Sequence, residues 1–162
     1  MKETLLTVLE NTRLADGIYR LRLAGDTSAI TAPGQFVNLK LSGFFLRRPI
    51  SVCDWENGEV TLIYKVLGHG TEAMTGMAVG TALDVLTGLG NGFDLSRSGE
   101  HPLLVGGGVG IPPLYGLARR LTAQGKRVTA VLGFNRKSEI FLAEEFRALG
   151  AEVVIATADG SV

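Results

Sequence analysis

Two stretches of this sequence join residue types that bind anions. The first is Arg47-Arg48-Pro49-Ile50-Ser51, inside the apolar run from Phe45 to Val52. Pro49 fixes its own φ and biases Arg48 toward extended geometry, so a guanidinium and a hydroxyl sit on a stiff strand. Both can then converge on one phosphate while Ile50 and Val52 enter a core. A solvated charge pair at a strand end fits the same residues. The second stretch is Gly106-Gly107-Gly108-Val109-Gly110-Ile111-Pro112-Pro113, directly after the apolar Leu103-Leu104-Val105. A glycine turn between a buried strand and a helix lets phosphate reach bare amides, where the helix dipole favours negative charge. The spacing departs from G-x-G-x-x-G, and Pro112 and Pro113 suit a first helical turn. Dinucleotide binding is the expectation, with a purely structural turn as its alternative.

Weaker candidates surround these two. Gly68-His69-Gly70-Thr71 opens a short helix with Thr71 as its expected N-cap and amides that could hold a phosphate. His69 has no second histidine or cysteine at metal-ligand spacing and reads as a solvent-facing loop residue. Asn135, Arg136 and Lys137 follow the second buried strand, where an adenosine ribose or its phosphate could lie; a solvated loop fits them equally, so NAD and NADP are not distinguished. No Ser-His-Asp set or carboxylate pair stands out.

The elements that must position these residues change character along the chain. Thr4 to Asn11 and Gly17 to Leu23 alternate apolar with polar residues, Pro33-Gly34 turns into a strand ending at Leu39, and Asn57-Gly58 divides Ser51 to Asp54 from Glu59 to Val66. About six strands are expected here with little helix between them, then a helix over Thr71 to Met77 and a strand over Val79 to Leu86. Gly88 to Phe93 reads as a flexible turn. A small antiparallel barrel or sandwich follows from such spacing. Beyond a polar connection at Ser96 to Glu100, the strands become continuously apolar. Leu103 to Val105, a helix from about Pro113 to Gln124, Arg127 to Phe134, a helix over Phe141 to Leu149, and Glu152 to Ala156 form a βαβαβ order. That order predicts a parallel sheet, half of a doubly wound nucleotide-binding domain. Two domains are expected, residues 1–98 and 99–162.

Composition narrows the function classes. Among 162 residues, 16 basic and 16 acidic side chains cancel, so no global field draws nucleic acid or an anionic membrane and any anion site is local. No apolar run approaches the ~18 residues that span a bilayer, and the N-terminus lacks a signal-peptide core, which points to the cytoplasm. Cys53 is the single cysteine; it excludes an internal disulfide and reads as a small buried residue.

Taken together, Arg48-Pro49-Ile50-Ser51, the stretch Ile63 to Thr71, Gly88-Leu89-Gly90-Asn91-Gly92-Phe93 and Gly106 to Leu114 resemble the ferredoxin reductase superfamily. There an antiparallel flavin-binding β-barrel precedes a doubly wound parallel α/β nucleotide-binding domain. More narrowly, they look like the electron transfer subunits of type B dihydroorotate dehydrogenase. The resemblance implies FAD on Arg48, Pro49, Ile50 and Ser51, on Ile63, Tyr64 and Lys65, and on Gly70 and Thr71. NAD would be held by Gly106, Gly107, Gly108, Val109, Gly110 and Pro112. It also implies a partner, the catalytic FMN subunit that oxidises dihydroorotate to orotate, and electron flow to NAD through FAD and a two-iron two-sulfur cluster. Other NAD(P)H-flavin reductase subunits, of the ferredoxin:NADP oxidoreductase or sulfhydrogenase type, and a non-catalytic nucleotide-binding module remain alternatives.

One departure is plain. The resemblance places four cluster-binding cysteines in a C-terminal segment, whereas this sequence runs to Asp159-Gly160-Ser161-Val162 with Cys53 alone. Only three of about five expected parallel strands are present. The chain is either a piece of a longer one or a divergent short protein; a parallel sheet open at its third strand exposes an apolar edge, so the piece is the expectation, with the cluster only in that longer parent.

Overall fold

The alternating segments close into a six-stranded antiparallel barrel and the continuous apolar runs form a three-stranded parallel sheet, in a computed structural model that describes residues 1–162. The barrel strands are β1 (Lys2–Ala15), β2 (Ile18–Gly25), β3 (Phe36–Leu39), β4 (Arg48–Glu56), β5 (Glu59–Lys65) and β6 (Ala82–Leu89), neighbouring in the order β1-β2-β5-β4-β3-β6. The arginine segment and Ser51 to Asp54 are one strand, β4, so five strands precede the helix and β6 is the sixth. That last strand begins three residues later than the sequence suggests and continues into the glycine turn, pairing Leu89 with Phe36. Asn57 and Gly58 both adopt positive φ, 52° and 79°, giving the tight β4-β5 hairpin expected of that pair. Inward positions such as Leu6, Leu21, Val37, Val60, Leu62 and Val85 are fully buried, which is what alternation requires of a small barrel.

Helix α1 (His69–Thr75) plugs one end of the barrel with the buried Met74. Its cap is Gly68 rather than Thr71, because the Thr71 hydroxyl sits one turn in and accepts from the Leu67 and Gly68 amides at 2.9 and 3.2 Å. Asn11 of β1 ties the other end of α1. Its amide nitrogen donates to the carbonyls of Met74 at 2.7 Å and Met77 at 3.3 Å, and its oxygen accepts from the Tyr64 hydroxyl at 3.1 Å. Burial pushes the Tyr64 phenol up to about 12, so it remains a donor.

The parallel sheet runs β7 (Leu103–Gly107), β8 (Thr129–Phe134), β9 (Glu152–Thr157) in that spatial order. Two crossover helices, α2 (Pro112–Ala123) and α3 (Ala143–Ala148), connect them. Expected boundaries move by one to two residues for most of these elements; α3 starts at Ala143 because Leu142 is held at φ 62°, which interrupts helical geometry. The covered face of the sheet presents Leu104, Ala130, Leu132 and Phe134 to a core that also contains Leu117, Leu121 and Phe146. This core continues onto the outside of the barrel, taking in Ile18, Cys53 and Ile63. On the opposite sheet face Leu103, Val105 and Val154 are exposed. No helix is long and apolar enough to cross a membrane.

Replacing Asn11 with alanine strands the α1 carbonyls and the Tyr64 hydroxyl together. Unmade hydrogen bonds of partly buried groups cost about 1–3 kcal/mol. Urea unfolding of Asn11→Ala should show a loss in that range, with Tyr64→Phe losing less.

Candidate functional site

Strand β4 separates the two adjacent arginines by function. Arg47 is fully engaged: its guanidinium meets the Asp84 carboxylate at 2.9 and 3.1 Å and Glu3 at 2.9 Å. Hydrogen bonding from Arg47 is the main reason the Asp84 carboxyl lies below its ordinary range. Arg48 has no carboxylate partner. Its Nη1 donates to the Leu46 carbonyl at 2.6 Å, and the guanidinium carbon lies 4.9 Å from the Phe44 ring centre. It lines a groove with Phe44, Leu67, Gly68, His69, Gly70 and Thr71. Gly70 leaves the space that the guanidinium fills, since a Cβ there would stand 2.1 Å from Arg48 Nε. The sequence had His69 facing solvent, and its side chain is 97% exposed.

Arg48 and Ser51 do not converge in the way their spacing suggested. They are three residues apart on a regular part of β4, so Arg48 shares its side with Ile50 and Val52, whereas Ser51 points the other way with Pro49. A single phosphate cannot take both on this backbone; an elongated ligand can meet them at different points. Of the second expected set, Tyr64 lies inside the barrel and Ile63 inside the core shared with the sheet, so neither side chain is open to a ligand. Lys65 instead faces the sheet, 3.6 Å from Glu139. The Thr71 hydroxyl is occupied in holding the 67–68 turn.

The glycine turn opens onto a second groove, of about 570 Å³, at the carboxyl ends of the parallel strands. Gly107, Gly108 and Val109 line it beneath β7, Gly133 to Asn135 beneath β8, and Ala156 to Ala158 beneath β9, while Ile18 and Lys65 close it from the barrel. Ligands in open α/β sheets bind in such a crevice. The other expected residues build the turn rather than the wall. A Cβ on Gly106 would meet Leu114 Cδ1 at 2.7 Å, Gly110 is the last residue of a single tight turn over Gly108–Gly110, and Pro112 is buried at the start of α2. Asn135 lines the groove and donates to Glu139 at 3.0 Å; Arg136 pairs with Glu139 at 3.2 Å. Sequence reasoning missed Glu139, Thr157 and Ile18, whose only signal was position just beyond a buried strand or turn. Cys53 is 2% exposed and burial pushes its thiol far above the usual range, so it is an inert core residue.

An antiparallel barrel followed by this parallel sheet is the ferredoxin reductase-like fold. The fold is shared with Amycolatopsis cytochrome P450 reductase (TM-score 0.87, 24% identity, 96% of this chain and 52% of that one). A structure of an NADH-dependent reduced ferredoxin-NADP oxidoreductase superposes with TM-score 0.83 at 29% identity, over 94% of this chain and 56% of that one. No protein-family model matches the chain. The electron transfer subunit of dihydroorotate dehydrogenase B (NAD(+)) from Bacillus pumilus is 46% identical over 169 residues, covering 99% of this chain and 65% of the relative. That from Enterococcus faecalis is 43% identical, covering 99% and 63%. The chain is similar to these electron transfer subunits over nearly its whole length and spans about 65% of the length of the relatives it matches.

The division of labour between the arginines is measurable. Arg47→Ala should lower the urea midpoint at pH 7, and Arg48→Ala should leave it unchanged. Because the folded value of Asp84 is depressed, its contribution is complete above the unfolded value near ~4 and is lost as pH falls through the folded one. The gap between the parent and Arg47→Ala should therefore narrow from pH 7 to pH 3.

Proposed function

We propose that this chain forms the flavin- and nucleotide-binding part of an electron transfer subunit, passing electrons from a catalytic subunit that oxidises dihydroorotate to NAD+ in de novo pyrimidine synthesis. In this reading residues 1–98 are the FAD barrel and residues 99–162 the NAD unit. The chain works in the cytoplasm within a hetero-oligomer. The observation that carries it is Arg48, a cation without a carboxylate, held against Gly70 in an open groove on the barrel. Desolvating a guanidinium without an anion is unfavourable, so an anionic ligand is the natural complement to that groove. The family names support the choice of ligand and partner, as these relatives are electron transfer subunits of an NAD(+)-linked dehydrogenase.

The residues present fit both nucleotides. Arg48 would hold FAD phosphate, with Pro49, Ile50 and Ser51 offering a rigid backbone and one hydroxyl along the same strand. Gly70 keeps room for the guanidinium, and Thr71 fixes the turn beside it. Ile63 and Tyr64 act only through backbone and core packing; Lys65 lines the groove at the sheet from the barrel side. Gly107, Gly108 and Val109 would meet NAD, on a turn shaped by Gly106, Gly110 and Pro112. Bound FAD supplies the two-electron redox chemistry, which leaves the protein to bind, orient and exclude water. A two-iron two-sulfur cluster does not fit these residues, because one buried cysteine cannot supply its thiolates.

A second reading, the reductase subunit of another complex, draws on the 29% identity to the ferredoxin-NADP oxidoreductase structure. The two part on association: the first expects a stable complex with a dihydroorotate-oxidising FMN subunit, the second none. Reconstitution with FAD tests what they share. The parent should bind and turn yellow, and a colourless protein after reconstitution would end both. Losing a charged hydrogen bond of about 1.5–3 kcal/mol, Arg48→Ala should weaken FAD binding about tenfold or more. Gly70→Ala should weaken it as well, by pushing the flexible Arg48 side chain aside while the fold persists.

A further inference from the structure

Helix α2 links the glycine turn to the strand that carries Arg48. It starts at Pro112, immediately after the glycine turn, and its middle lies across β4, the strand that carries Arg48. The closest approach is backbone to backbone: a Cβ on Gly116 would stand 2.7 Å from the Cys53 carbonyl oxygen. Neither partner can swing away, because Cys53 belongs to a strand and Gly116 is buried in a helix. Two arginines fasten the same contact. Arg119 reaches Asp54 at 3.0 Å and Glu56 at 2.9 Å, and donates to the Trp55 carbonyl at 3.3 Å. Arg120 stacks over Trp55 with its guanidinium carbon 3.6 Å from the ring centre and lies 3.6 Å from Asp54. Side chains from three consecutive β4 residues, Asp54 to Glu56, are thus held by two consecutive α2 residues.

From this geometry we infer that Gly116 and Arg119 are positioning residues, which set the separation between the flavin strand and the nucleotide turn and so the alignment of the two rings. Neither residue lines either groove. Their effect reaches the cofactors through the rigid helix, because misplacement of reacting groups by a small distance is sufficient to slow transfer strongly. The inference rests on the proposed function for its consequence but not for its geometry.

The test uses the full chain with Gly116→Ala, Arg119→Met and the conservative Arg119→Lys. Spin labels at Glu72→Cys on α1 and Gln124→Cys at the end of α2 report the spacing in the ligand-free protein, and the buried Cys53 stays unlabelled. Gly116→Ala and Arg119→Met should shift or broaden the label distance, and Arg119→Lys should restore most of the parent's distribution. In the FAD-loaded chain, both disruptive variants should keep FAD affinity within about twofold. They should lose the long-wavelength absorbance of nicotinamide stacked on flavin, and bleach about tenfold or more slowly at saturating NADH. Should Gly116→Ala fail to fold, Arg119→Met against Arg119→Lys decides the matter. An unchanged label distance in the folded variants overturns the inference, as does an unchanged stacking absorbance and saturating rate. If the parent itself takes up FAD but is not bleached by NADH, the proposed function falls, while the label distances still decide the spacing.

Discussion

Much of the architecture depends on one irregularity in β4. The pairing of β4 with β5 slips between Val52 and Asp54, so a bulge falls at Cys53. Bulges re-aim side chains and bend a strand. Val52 enters the barrel interior and Cys53 turns outward by ordinary alternation, while the extra residue places Asp54, opposite Thr61, on the outer side as well, where it meets Arg119 of α2. The same bulge leaves the Cys53 carbonyl against α2, where only a residue without a side chain can approach. Cys53 and Asp54 together are the outward residues that α2 packs against through Gly116 and Arg119.

The charges follow the same plan. A net charge of zero conceals a strong local order, in which acids and bases are spent on one another wherever elements meet. Arg47 ties the ends of β1, β4 and β6 through Glu3 and Asp84, and Asp54 and Glu56 receive the α2 arginines. Against that background an arginine left over beside a glycine is conspicuous. The Arg47–Asp84 and Arg119–Asp54 pairs are half-buried, so they contribute to stability as well as to register.

Local patterns in the sequence carried the elements well. Asn57-Gly58 needed no tertiary help to declare a hairpin, and the change from alternation to continuous apolar runs marked the passage from barrel to parallel sheet. The glycine turn was legible because strand, turn and helix are consecutive. What stayed hidden was set by contacts distant in sequence. Nothing near Arg47 and Arg48 told them apart, because the carboxylates that claim Arg47 are residues 3 and 84. The convergence of Arg48 with Ser51 failed on strand parity, a matter of a single residue. Ile63 and Tyr64 match a motif, and alternation turns one outward and the other inward; what no local pattern encodes is that the outward Ile63 is covered by the parallel sheet's core. The groove beneath the sheet collects residues from separate stretches of chain, and Glu139 is held there by Lys65, Asn135 and Arg136.

The core that runs beneath the parallel sheet has a further meaning for how the molecule melts. The sheet owns helices on one face only, with Leu103, Val105 and Val154 left in water on the other. Its covered face completes itself with Ile18, Cys53 and Ile63 from the barrel. A layer that closes its interior with another layer's side chains is not self-sufficient, whereas the barrel keeps an interior wholly its own. Heat that loosens the barrel wall therefore strips Ile18, Cys53 and Ile63 from the sheet as well, while loss of the sheet leaves the barrel interior in place.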